Sequence, residues 1–144
     1  MAGKFEFAYT LDGHNIPPAI ITAPVAASQT LVNGDLVIIS SGQIAKASAS
    51  VVAPFGVMAQ DSSGATAGTL VKVFPIVPHT QVWKAKASAA ATSAVLGAIV
   101  YDITAAQLVD IADAINGSIS IIALGPTTTD VYLVFSKTFL TSLA

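Results

Sequence analysis

The chain has 144 residues, 53% of them hydrophobic and only 10% charged, with a formal net charge of −2 and no cysteine. Soluble domains typically carry about 25% charged residues, so the composition leaves apolar surface that lipid or other protein has to cover. It excludes disulfides, thiolate metal sites and cysteine nucleophiles, and six scattered lysines without one arginine argue against a nucleic-acid partner, whose backbone needs clustered cations.

Residues 1–30 differ in character from the rest of the chain. Lys4 to Thr10 alternates polar and apolar, with Phe5, Phe7 and Tyr9 expected on one side of a strand. No apolar stretch of a signal peptide is visible near Met1, and Glu6 stands where one would begin, so cytoplasmic synthesis is expected. After the turn signal Asp12-Gly13, the run through Ile16, Pro17, Pro18, Ile20 and Pro24 has to be extended. Proline cannot donate to a sheet ladder, so this piece belongs on an edge or away from the body. Residues 1–30 are therefore expected to be an extended arm lying on a neighbouring subunit, with an edge strand folded back on its own domain as the alternative. The prolines also break the longest charge-free run, Gly13 to Gly34, which rules out an apolar membrane helix there. Strands of about five residues fall short of the roughly 9 to 11 that cross an outer membrane, so no membrane partner is expected.

Residues 31–144 read as one β domain. Leu36 to Ile39, a return strand from Gln43, Gly56 to Gln60 and Leu70 to Phe74 are expected strands, each broken by Gly, Ser, Pro or Asp. Val77 to Thr80 is a link. In Gln81 to Lys86, Val82, Lys84 and Lys86 face one way and Gln81, Trp83 and Ala85 the other. Trp83 is a core residue by default and an interface anchor in the sharper reading. Ala87 to Ala94 is a loop with room for one helical turn. Thr104 to Ile115 has both a capping-box pattern and a strand reading; the strand is preferred, with its turn at Thr104 to Gln107. Ile119 to Ala123 and Val131 to Phe135 close the chain around a Gly125 to Asp130 turn, and the apolar tail from Thr138 is expected to be tied down.

The order of elements comes round twice, over about 31–77 and 95–136. Gly34-Asp-Leu-Val-Ile is echoed by Gly97-Ala-Ile-Val-Tyr, Gln43-Ile-Ala by Gln107-Leu-Val, Phe55-Gly-Val-Met-Ala by Ile119-Ser-Ile-Ile-Ala, and Val71-Lys-Val-Phe by Tyr132-Leu-Val-Phe. The expected fold is all-β: a compact barrel or sandwich of short strands built from two pseudo-repeated units.

No catalytic, cofactor-binding or metal-binding constellation is expected. His14 and His79 lack companions at ligand spacing, and there is no nucleophile elbow, dinucleotide fingerprint or P-loop. Asp102, Asp110 and Asp113 cluster in sequence but read as solvated surface, and Asp35 and Asp61 as turn residues.

The units Asp102-Ile-Thr-Ala-Ala-Gln-Leu-Val-Asp, Ser118-Ile-Ser-Ile-Ile-Ala-Leu and Asp130-Val-Tyr-Leu-Val-Phe resemble the lambda-type head decoration family of tailed bacteriophages. Gly34-Asp-Leu-Val-Ile, Ala53-Pro-Phe-Gly-Val-Met-Ala and Gly68-Thr-Leu-Val-Lys-Val are similar to the same family, and the resemblance covers about Leu31 to Phe135. It implies a non-enzymatic capsid decoration, or cement, protein: a homotrimer on the virion exterior, assembled in the host cytoplasm, whose partner is the major capsid protein. The family's capsid-touching arm corresponds here to Phe5 to Pro24. The expected interface residues are then Phe5, Phe7, Tyr9, Ile16, Pro17, Pro18 and Ile20, with Trp83 beside them. The chain departs from the simplest members in carrying the unit twice. A ligand-binding β-barrel or surface adhesin, with a sugar or lipid pocket near Trp83 and Tyr101, is the alternative.

Overall fold

The computed structural model describes residues 4–49, 53–97, 100–115, 117–136 and 138. In chain order its strands are β1 (Glu6–Thr10), β2 (Ile21–Pro24), β3 (Thr30–Leu31), β4 (Leu36–Ser40), β5 (Gln43–Lys46), β6 (Gly56–Met58), β7 (Ser62–Ser63), β8 (Leu70–Pro75), β9 (Gln81–Ala87), β10 (Asp102–Ala105), β11 (Leu108–Asp110), β12 (Ile119–Leu124) and β13 (Asp130–Phe135). A single 3-10 turn, Ser93–Val95, lies in the loop after β9 and is capped by the Thr92 hydroxyl.

The strands form two main sheets. One has the order β2-β8-β6-β4-β5; the other is β10-β11-β9-β13-β12, with β1 paired to the same edge of β9 that β11 extends; β3 and β7 make a small separate ladder. The Val25–Ile44 bridge brings the two edges of the five-stranded sheet together, yet no ladder among the described residues closes it. The fold is all-β and sandwich-like, not a closed barrel.

One core joins residues of both sheets, and a second lies against the other face of the five-stranded sheet. Leu36 and Val57 join Phe5, Ile76, Trp83, Ile103, Ile119, Leu133 and Phe135 in the first, with Ile38 and Phe74 packed against it; Val37, Met58, Val71 and Val73 join Leu31, Ile44 and Phe55 in the second, with Ile39 against it. Strand β4 therefore buries both faces. That is the physical reason for its unbroken apolar run, where a half-solvated strand would alternate.

The two echoed segments are wired alike. In the first, β4 and β5 form a hairpin, β6 returns antiparallel to β4, and β8 to β6. In the second, β10 and β11 form a hairpin, Tyr101 bridges Ile119 antiparallel, and β13 returns along β12. Ala98 and Ile99 of the Gly97 echo lie outside the described residues. The contested segment is a hairpin, as preferred from the sequence, and its turn at Ala106-Gln107 falls in the second half of the expected Thr104 to Gln107 span. Tail residues 139–144 lie outside the described residues, and Thr138 is buried.

The arm expectation is corrected. Strands β1 and β2 pair antiparallel with β9 and β8 of the same chain, and Phe5 sits in the core with its ring 5.9 Å from that of Phe135. Burying these aromatic and aliphatic side chains at home outweighs what an arm would gain by waiting for a neighbour, at about 25 cal/mol per Å² removed from water. The single-face expectation for β1 is also corrected. A bulge between Phe7 and Tyr9 puts Phe7 opposite Trp83 on the inner face but Tyr9 opposite Val82 on the outer one.

Candidate functional site

The eight residues expected at an interface separate into two groups. Phe5 and Trp83 are 2% and 1% exposed. Phe7 packs edge-on against Trp83 at 5.8 Å, and Tyr9 lies 6.2 Å from Tyr132 on the outer face. Trp83 is thus the core residue of the default reading, and Phe5 and Trp83 are withdrawn as surface contacts. Tyr101 is buried in the same core, so among the described residues the Trp83–Tyr101 region is packed with side chains.

The remaining residues behave differently. Ile16 and Ile20 are 67% and 58% exposed, and Pro17 is exposed with Pro18 half-buried. Next to them Ile21 opens β2, and Leu70, 62% exposed, stands opposite Pro24 across the β2–β8 ladder. Ile16, Pro17, Ile20 and Ile21 make an exposed apolar strip at the head of β2, while Leu70 is set off from it by Lys72, which stands opposite Thr22.

Local chemistry holds the strip at both ends. At its start, Thr10 donates its hydroxyl to Asp12 Oδ1 at 2.6 Å, the His14 N–H donates to the same oxygen at 3.0 Å, and the Asn15 N–H donates to Thr10 Oγ1 at 2.8 Å. The bonds to Asp12, that from the Thr10 hydroxyl foremost, hold its carboxyl below the usual carboxylate range. At its end, β2 is tied to β8 on one side only, and beyond it the Ala26 N–H donates to Ile44 O at 2.9 Å. The far edge of Ile21 to Ala23 is the unpaired rim of the sheet among the described residues.

Two polar clusters complete the inventory. Asp35, 1% exposed, accepts from Gln107 Nε2 at 2.7 Å and the Val32 N–H at 2.9 Å, with Lys46 Nζ 3.4 Å away. The sequence reads Asp35 as a turn residue; its partner comes from the β10–β11 hairpin tip, and no local signal announces it. On the outer face of the other sheet, Lys86 stands opposite Asp130 and donates to its Oδ1, while Lys84 Nζ lies 4.0 Å from Oδ2. The Lys86 hydrogen bond is the main reason the Asp130 carboxyl titrates below its ordinary range, against the opposing effect of desolvation.

The acidic run meets the sequence expectation only in part. Asp110 Oδ1 accepts from the Ala112 N–H and Asp113 Oδ1 from the Ile115 N–H, both at 3.0 Å, which is turn chemistry. Asp102, by contrast, is buried and accepts from the Ile103 N–H of its own strand at 2.7 Å. Among the described residues, no three His, Asp or Glu side chains converge as metal ligands, and no helix is long and apolar enough to cross a membrane.

Comparison with known proteins finds no family model, curated protein or solved structure that matches the chain.

Proposed function

We propose that the chain is a non-enzymatic structural protein that decorates the outside of a tailed-bacteriophage head, binding neighbouring major capsid subunits and stabilising their lattice as a homotrimer. The observation that carries this reading is the exposed apolar strip of Ile16, Pro17, Ile20 and Ile21 on a chain so poor in charge. Such a strip is stable in water only at a cost that association with other protein removes.

The part that touches the shell is the strip and the open rim of β2, since β1 is committed to its own sheet. A strand of the partner adding along Ile21 to Ala23 gains main-chain hydrogen bonds, and the isoleucines beside it gain apolar contact. Three such contacts on one trimer act together: once one is made, the others form at high effective concentration, and modest affinities combine into tight attachment. No step of this mechanism needs a cofactor, metal or reacting group.

The test is to mix purified protein with expanded and unexpanded tailed-phage heads and measure bound protein. Saturable binding at fixed stoichiometry on expanded heads alone is expected. Absence of binding to either form would overturn the capsid reading.

A further inference from the structure

We infer that the outer face of β9 carries a receptor for one acidic side chain of a partner protein. The site is a small cavity of about 90 Å³ lined by Lys4, Glu6, Lys84, Ala85, Lys86 and Asp130. It gathers half of the chain's six lysines, and within it three ammonium groups face two carboxylates although the chain as a whole carries −2. The rest of the surface is correspondingly more negative. An acidic group approaching this protein is attracted here more than to the surface as a whole.

The groups in the cavity are not equivalent. Asp130, its side chain 4% exposed, is engaged by Lys86 and by the Thr127 N–H at 3.3 Å, so this pair is internal structure. Lys84 makes a long ion pair with Asp130, at 4.0 Å, without a hydrogen bond, and is 36% exposed. The Lys4 side chain has no hydrogen bond or ion pair among the described residues, and neither has Glu6, which faces Lys84 across the β1–β9 ladder. Two lysines therefore line one cavity with hydrogen-bond donors unused, Lys4 without a partner among the described residues and Lys84 with only its long ion pair to Asp130.

Their stems are held in place. The Lys4 stem crosses Gly34, where an added Cβ would sit 2.5 Å from Lys4 Cβ, and the positive φ of 95° at Gly34 lets the backbone pass beneath it. Lys84 projects from the middle of β9, fixed between β1 and β13. A single carboxylate accepts from Lys4 and Lys84 together, making charge-assisted hydrogen bonds. Glu6 selects among anions: its own negative charge, beside Asp130, repels a phosphate dianion more than a carboxylate. The occupant is thus an Asp or Glu side chain, brought by a capsid subunit or by a second copy of this chain. In this respect the inference rests on the reading that the protein binds other protein.

The experiment uses isotope-labelled lysine and NMR detection of the six lysine side chains. The probe is the capped peptide acetyl-Gly-Gly-Glu-Gly-Gly-amide, with its Gln counterpart and inorganic phosphate in parallel titrations. Saturable shifts of Lys4 and Lys84 with the Glu peptide are expected, larger than any at Lys72, and absent with the Gln peptide. Lys4→Gln and Lys84→Gln should each weaken binding about tenfold, the scale of one charge-assisted hydrogen bond. Equal small shifts at all six lysines would overturn the inference, as would phosphate saturating the site as readily as the peptide. Because the peptide replaces the shell, this test stands even if heads bind nothing. If heads bind the Lys84→Gln variant as well as the unaltered protein, the carboxylate comes from a second copy and the variant's self-association falls; unchanged self-association there would also overturn it.

Discussion

Asp35 and Gln107, 72 residues apart in the chain, meet at 2.7 Å where the tip of the β10–β11 hairpin docks on the start of β4. The Leu36 N–H donates to Ala106 O at 2.8 Å beside them, and Ser48 bridges Ala105. The two echoed units are thereby locked by polar contacts at one end of their shared apolar core.

That lock gives a first prediction. Asp35→Ala leaves the Val32 N–H and the Gln107 amide without their acceptor and should cost about 3 kcal/mol, in the range for buried bonds to a charged group. Gln107→Ala removes one donor and should cost about 1 kcal/mol. Urea unfolding at neutral pH measures both; equal, negligible losses would show that the lock contributes nothing.

Trp83 separates packing from hydrogen bonding. Its Nε1 is buried with no acceptor among the described residues, while its rings fill the core between Phe7 and Phe74. Trp83→Ala should cost about 3–5 kcal/mol by opening a cavity. Trp83→Phe, which also removes an unsatisfied donor, should cost less than about 1.5 kcal/mol. Thermal melts distinguish the two outcomes.

Gly56 lets β6 and β8 approach. A Cβ there would meet Phe74 O at 2.4 Å and Val73 Cγ1 at 2.6 Å. Gly56→Ala has to push the strands apart and should lose about 1–3 kcal/mol, whereas Gly42→Ala meets no atom within 4 Å and is strained only by its φ of 78°. A smaller loss at 56 than at 42 would contradict the close approach.

Acid sensitivity comes from Asp12 and Asp130, both held in the folded state below the ordinary aspartate value of 3.8. The unfolded chain then takes up protons first on acidification. Their contribution is fully present above that value and is lost as pH falls through the lower folded values. Asp130→Asn should lower the melting temperature at pH 7 and flatten its fall below about pH 4; curves parallel to those of the unaltered protein would contradict this.

Legibility in the sequence tracks contact range. Leu36 to Ile39, Gln43 and Leu70 are legible because β-branched runs and their Gly, Ser and Pro breaks act locally, and the shared face of Lys84 and Lys86 comes from period two alone. The bulge at Ala8, which turns Tyr9 outward, is not legible, because it depends on which residues of β9 lie opposite. The same holds for the partners of Asp130, set by the β9–β13 pairing, and of Asp35, set by the docking of the β10–β11 hairpin tip, both across tens of residues. Phe5 and Trp83 leave the expected interface for the core for that reason. Phe5 and Ile16 are both large and apolar in sequence, and only the β1–β9 pairing decides that one is buried and the other is not.

The capsid reading turns on the binding role proposed for the strip from Ile16 to Ile21. The most direct measurement compares the unaltered protein with an Ile16→Ser, Ile20→Ser double variant for binding to expanded phage heads. Both side chains are exposed, so folding stability should change by less than about 1 kcal/mol. Near-normal melting and loss of saturable binding are predicted for the double variant. Equal binding by both proteins would contradict a binding role for the strip.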